Sequence, residues 1–278
     1  MPGVDLAHVG NACGWTTRLG FGQENTALFG GMADYWGVFV RYTRIQDSAP
    51  VNGVFQTFFP GFTPLYPYNF SANTGFDERR TVIDFEAGRD IGIGDGSKLR
   101  ALAGLRFAHY SSETTVLGPA VAGGTAEANF FTKQQFDGLG PRIGFSYRRP
   151  FLGMVELTAD GSAAGLWGRF KTNVNDSLDF TGAPYSISGS ESHNGWVGNL
   201  EGSIALAYAP YGPRGWDVSL GVRAEDWFGQ IDTNTFTASS ANANANPIHA
   251  AGPVSVSGQR EDRFNWGPFL RVKVPLGN

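Results

Sequence analysis

Cysteine is all but absent from this chain of 278 residues. The one thiol, Cys13, excludes an internal disulfide framework, because a bridge needs two. It is not a lipid acceptor either, since Gly10-Asn11-Ala12 put no apolar residue three places before it and no apolar run precedes them. Charge is scarce at 17% of residues, the net charge is -4, and no basic run exists. A nucleic-acid partner therefore has no electrostatic footprint. No apolar stretch approaches the roughly 20 residues of a transmembrane helix. The first residues carry no basic segment followed by an apolar one, so the expectation is that an export signal has been removed or that the chain is not exported.

What is abundant points to strands. The chain holds 39 Gly, 22 Phe, 7 Trp and 9 Tyr, a composition that disfavours helix bundles. Apolar residues recur at every second position from Trp15 to Pro275, the period of an extended strand with two unlike faces. Asp137–Arg148 shows it best, with Leu139, Pro141, Ile143, Phe145 and Tyr147 opposed to Gly138, Gly140, Arg142, Gly144, Ser146 and Arg148. Eight further segments follow the pattern: 14–22, 34–44, 80–90, 98–111, 152–171, 196–209, 215–228 and 263–275. Clean phase is lost in Gly165–Phe170, which predicts a bulge there.

The polar face carries Arg18, Arg41, Asp84, Glu86, Arg100, Arg106, Arg142, Glu156, Asp160, Glu201, Asp217, Arg223, Glu225, Arg271 and Lys273. In a soluble barrel these would be the wet outer surface and the apolar face would be core. In a membrane barrel the faces exchange roles. Two features favour the exchange. Glycine crowds the charged face, where it would weaken an exposed strand for no gain, whereas in a lumen it leaves room for long charged neighbours to cross and pair. Trp36, Tyr42, Tyr147, Tyr208, Trp216 and Trp266 lie near strand ends on the apolar face, where interfacial girdles belong.

Connections alternate in length. Those near 23–33, 91–97, 150–151 and 211–214 are short, and those near 45–78, 112–129, 172–195 and 229–262 are long and rich in Gly, Ser, Thr, Asn and Ala, with a low-complexity patch at Ala241–Pro247. This predicts one all-β domain, an antiparallel up-and-down transmembrane barrel with short periplasmic turns and long external loops. Single-chain bacterial barrels have even strand numbers, so nine visible strands predict about ten, with one further strand and a signal peptide upstream. The alternative is nine strands closed by residues 1–13 folding back.

Several stretches are similar to the Legionella major-outer-membrane-protein-like family of pore-forming outer-membrane proteins. They are Val82-Ile83-Asp84-Phe85-Glu86-Ala87-Gly88, Ala103-Gly104-Leu105-Arg106-Phe107-Ala108 and Phe136-Asp137-Gly138-Leu139-Gly140-Pro141-Arg142-Ile143-Gly144. Weaker echoes are Gly168-Arg169-Phe170, Gly221-Val222-Arg223-Ala224-Glu225 and Gly267-Pro268. The resemblance implies a bacterial outer-membrane barrel with porin-like activity. The chain departs from that family in ending on Asn278, where many such barrels carry a terminal aromatic.

The expected function is thus a porin-like channel or structural barrel with a narrow lumen lined by the fifteen charged residues above, its partners being outer-membrane lipid and small solutes or ions. The slight basic excess on that face would favour anions weakly. Alternatives are a surface-binding barrel acting through its long loops and a soluble β-barrel holding an apolar ligand. No cofactor is expected. His8, His193 and His249 have no ligand-spaced partners, Asp232-Thr233-Asn234 is not completed as a calcium loop, and Gly92–Gly96 joins two strands as a turn. His109 sits beside Tyr110, Ser111 and Ser112, and a His–Ser pair near the outer rim could deacylate lipid. It would need a third, orienting group and an oxyanion site, so the expectation is a non-enzymatic protein with His109 on the lipid face.

Overall fold

The computed structural model describes residues 13–28, 33–56, 67–94, 96–119, 127–180, 183–210, 216–231, 237–238, 254–255 and 261–274. Its strands are β1 (Cys13–Leu28), β2 (Ala33–Gln56), β3 (Pro67–Gly94), β4 (Ser97–Pro119), β5 (Glu127–Leu152), β6 (Val155–Phe180), β7 (Ala183–Tyr208), β8 (Asp217–Ile231), β9 (Thr237–Ala238), β10 (Val254–Ser255) and β11 (Glu261–Lys273). Among the described residues there is no helix. Nine strands form one sheet in the order β1 to β8 followed by β11, and β9 with β10 makes a separate ribbon. Each strand pairs antiparallel with its neighbour in sequence, an up-and-down meander.

The sheet curls into an open barrel. Among the described residues β1 and β11 form no ladder, although the inward side chains of Glu24 and Lys273 meet at 3.3 Å. Curling needs close backbone approach on the concave side, and glycine permits it. A Cβ on Gly104 would lie 1.9 Å from the Phe85 carbonyl oxygen, and one on Gly138 would lie 2.2 Å from the Phe136 ring. The inward glycines therefore make room for backbone and rings as well as for long charged side chains. At the β3–β4 hairpin Gly94 ends β3 at φ 88° and Gly96 stands in the turn at φ 71°, values that glycine adopts without strain, and Asp95 lies outside the described residues.

Two expectations are corrected. Segments 45–78, 112–129 and 172–195, read as long loops, are largely strand: the ladders run out to Gln56↔Pro67, Pro119↔Glu127 and Phe180↔Ala183. A strand that projects beyond lipid has water on its outer face, so it loses amphipathic alternation while keeping its backbone hydrogen bonds. Alternation locates only the part in contact with lipid. Most of 229–262, with the low-complexity patch, lies outside the described residues. The bulge expected in Gly165–Phe170 is also absent, because the register is the same at Leu139↔Trp167 and Arg142↔Ala164. The shift in this hairpin falls at Pro150/Leu152 instead. The phase blurs because Leu166 and Phe170 are apolar residues packed inside, while Trp167 faces out.

The faces are inverted relative to a soluble protein. Ile143 is 65% exposed, Leu220 65% and Leu270 68%, whereas Arg106 is 0% and Arg80 1% exposed. A water-soluble fold does not leave a continuous apolar outer wall and bury its arginines. Aromatic residues border that wall at both ends. Trp15 meets Tyr42 at 5.3 Å and Trp167 meets Trp196 at 5.2 Å toward one end, while Phe21 meets Trp36 at 5.6 Å and Tyr208 meets Trp216 at 6.1 Å toward the short turns.

Candidate functional site

Strand parity places all the charged residues of the sequence reading on the concave face. Arg41, Asp84, Glu86, Arg106, Arg142, Asp217 and Glu225 are buried there. Glu156, Asp160, Glu201, Arg100, Arg223, Arg271 and Lys273 are partly exposed, and Arg18 on β1 is exposed.

The buried members meet across the interior. Arg41 on β2 donates to Glu201 on β7 at 2.7 Å and lies 3.5 Å from Glu225 on β8. Arg106 on β4 forks onto both Asp84 oxygens at 2.6 and 2.8 Å and reaches Glu201 at 3.2 Å and the Asn199 side-chain oxygen. Arg223 closes on Glu201 from β8 at 2.7 Å. Arg142 on β5 pairs with Glu86, which also accepts the Tyr35 hydroxyl at 3.2 Å. Charges of opposite sign thus neutralise one another where water is excluded, as burial demands. One carboxylate, Glu201, serves three guanidinium groups.

The remaining candidates pair in smaller groups near the ends. Arg100 forks onto Asp90 at 2.6 and 3.1 Å and reaches Glu24 at 3.2 Å. Arg271 meets Asp160 at 3.3 Å, and Asp160 accepts the Ser203 hydroxyl at 3.2 Å. Arg148 approaches Glu156 and Asp217 at 3.9 and 3.8 Å. Arg18 lies over the Phe39 ring at 4.4 Å.

Several interior residues escaped the sequence reading. Arg80 pairs with Glu225 at 2.7 Å and with Glu78, and it lies 4.7 Å from the Trp227 ring centroid, whose indole N–H donates to Glu225. Trp227 joins Val82, Ala108, Tyr110, Phe136, Leu166, Phe170 and Val197 in an apolar cluster on the concave face. His193 stacks on Phe170 at 5.1 Å and 11°. Parity could have found Arg80 and Glu78, which continue the series Glu86, Asp84, Val82. It could not have found the cluster, because an inward aromatic contradicts a polar-lumen pattern.

The outer wall changes character beyond the aromatic border at the end away from the short turns. The row Ile83, Phe107, Leu139, Trp167 and Trp196 is apolar. The next row is Thr81, His109, Asp137 and Arg169, and the one after is Arg79, Ser111, Gln135 and Lys171. His109 faces outward as expected, and its Nδ1 lies 2.6 Å from Asp137 Oδ1. Still further out, Asp77 accepts from Arg44 at 2.9 and 3.2 Å and from Arg79 at 2.8 Å. These hydrogen bonds, from Arg44 first and Arg79 second, hold the Asp77 carboxyl down at about 2.

No curated protein and no solved structure matches the chain significantly. A family model does, over residues 34–274, and its description is the Legionella pneumophila major outer membrane protein precursor. That span runs from the start of β2 to the end of β11 and takes in the ion-paired interior apart from Glu24 on β1, and most of the apolar outer wall. An inside-out antiparallel barrel and a family match of this extent lead to one conclusion: the chain belongs to this outer-membrane protein family.

Proposed function

We propose that the protein is a narrow, porin-like outer-membrane channel for small ions and solutes, constricted by the ion-pair layer around Glu201. The observation that carries this reading is the convergence of Arg41, Arg106 and Arg223 on that one carboxylate from β2, β4 and β8. A lumen lined by both signs, with the half-exposed Glu24, Asp160, Arg271 and Lys273 beside the buried pairs, supports passage of hydrated ions along the β1 and β11 wall. Short turns would face the periplasm and the projecting strand ends the exterior.

Planar-bilayer recording tests this. Wild-type protein is expected to give small conductance steps, and Arg41→Ala to raise them severalfold, because Glu201 keeps Arg106 and Arg223 as partners while one crossing side chain is removed. Baseline current from both proteins would overturn the channel reading. It would leave a structural barrel, a reading favoured by the complete burial of Arg106 and by the apolar packing around Trp227.

A further inference from the structure

The expectation of a non-catalytic protein rested on two things a His109–Ser pair would still need, a third, orienting group and an oxyanion site. The fold brings the third group in. We propose that Ser111, His109 and Asp137 form an acyl-ester hydrolase site on the lipid-facing wall, with the acyl chain of a membrane lipid as its substrate. This rests on the membrane placement of the barrel and not on the channel reading, so a barrel without conductance still carries it.

The geometry starts from the strand pair. His109 on β4 and Asp137 on β5 are direct register partners, and His109 Nδ1 meets Asp137 Oδ1 at 2.6 Å. A carboxylate on Nδ1 fixes the tautomer in which Nδ1 carries the proton and Nε2 the lone pair. Ser111 lies two residues along the same strand, hence on the same face and one side-chain repeat from the ring. That is the order a serine nucleophile needs: hydroxyl, imidazole base, orienting carboxylate. Asp137 is a positioning residue, while Ser111 and His109 touch the reacting atoms.

Ser111 is flanked in register by Arg79 on β3 and by Gln135 on β5. The Gln135 side-chain amide is a donor on one side of the position where an ester oxyanion would develop, and on the other Arg79, which gives one nitrogen to Asp77, keeps further guanidinium N–H groups. Height along the wall agrees with lipid as substrate. The neighbouring row toward the membrane is Phe107, Leu139 and Trp167, and aromatics of this kind mark the boundary between hydrocarbon and polar headgroups. Ester linkages lie at that boundary. His109 and Asp137 are 41% and 44% exposed at their side chains, so a lipid could reach them from outside the barrel.

The reaction balances with water alone. Ser111 Oγ attacks the ester carbonyl carbon while its proton passes to His109 Nε2. The carbon–oxygen bond to the lipid alcohol then breaks, and the alcohol leaves with that proton. Water repeats the two transfers on the acyl-serine, which releases a fatty acid and restores the hydroxyl. The products are a fatty acid and a lysolipid.

The test uses the whole chain reconstituted into phosphatidylglycerol and phosphatidylcholine vesicles and, separately, into vesicles containing lipopolysaccharide. Free fatty acid and labelling by a fluorophosphonate probe are both read. Wild-type protein is expected to release fatty acid at least tenfold faster than empty vesicles from one of the two and to carry the label on Ser111. Whichever vesicle responds identifies the source of the ester. Ser111→Ala and His109→Ala are expected to fall to the rate of empty vesicles. Asp137→Asn should lower kcat by at least tenfold with KM within twofold, a split that a purely structural pair would not produce. Tryptophan fluorescence of each variant verifies the folded barrel. Folded wild-type protein that releases no fatty acid from either vesicle overturns the proposal, and so does a label on Thr81 or elsewhere instead of Ser111.

Discussion

Arg41 and Glu201 stand five strands apart in the sheet order, on β2 and β7, yet their charged groups meet at 2.7 Å across the interior. Their contact is possible only because the sheet curls, and it links two walls that share no backbone hydrogen bond. Removing the carboxylate should therefore expose its value. Glu201→Ala leaves Arg41, Arg106 and Arg223 short of a counter-charge, and a loss of about 3–5 kcal/mol is expected, as for a broken buried pair. Urea unfolding in lipid vesicles, followed by tryptophan fluorescence, measures it. A loss near zero would mean that water and neighbouring carboxylates already satisfy the three cations.

Curvature makes its own prediction. Gly104→Ala places a methyl 1.9 Å from the Phe85 carbonyl oxygen, so the strands must separate. Overpacking of this kind costs about 1–3 kcal/mol. Gly165→Ala is the control, because a Cβ there meets nothing within 4 Å and should change stability by less than about 0.5 kcal/mol. Equal effects at the two sites would refute the steric account.

The lipid-facing wall can be probed at its middle. Ile143 lies midway between Leu139, in the row of Trp167, and Tyr147 near the short turns. Ile143→Arg should cost about 2–4 kcal/mol in vesicles, the range for a cation at the bilayer midplane on a barrel exterior. Unfolding equilibria in lipid test this. An unchanged equilibrium would show that the face is wet and would remove the basis for the membrane orientation.

Acid should loosen the projecting strand ends before the barrel itself. Asp77 is held at about 2 by hydrogen bonds from Arg44 and Arg79, against 3.8 for an unperturbed aspartate. Its folded value is depressed, so its contribution is present above pH 4 and is lost as the pH falls from about 4 to about 2. Hydrogen-exchange protection in the β2–β3 extension, taken relative to the intrinsic rate at each pH, is expected to fall across that window. Asp77→Asn should show the lower protection already at neutral pH and no acid step. An acid step of the same size in that variant would assign it to another group.

Legibility in the sequence followed the environment of each residue. Arg106 and Arg142 stand in segments with lipid on one side and lumen on the other, so alternation put them on the charged face and the glycines on that face marked it as the lumen. Arg80 and Glu78 lie where the outer neighbours Arg79 and Asp77 are charged too, and there the contrast that reveals a strand disappears. Phe136 and Phe170 were hidden for the opposite reason, because an apolar residue inside looks like one turned toward lipid. The strand extensions beyond Ser48 and Ser112 left no periodic trace. His109 and Ser111 were visible as a pair, but Asp137 was not visible as their partner, since the two strands had no readable register.

From the order of residues alone came the nine strands, their up-and-down connection and the choice of lumen face, because period-two alternation and glycine placement are local properties of each segment. Tertiary structure decided which charges neutralise which, that aromatic side chains share the interior with them, and that an imidazole and a carboxylate meet on the outer wall. Those facts depend on curl and register. Both arise from backbone pairing between strands and from steric fit at positions such as Gly104, and neither is encoded in any one segment.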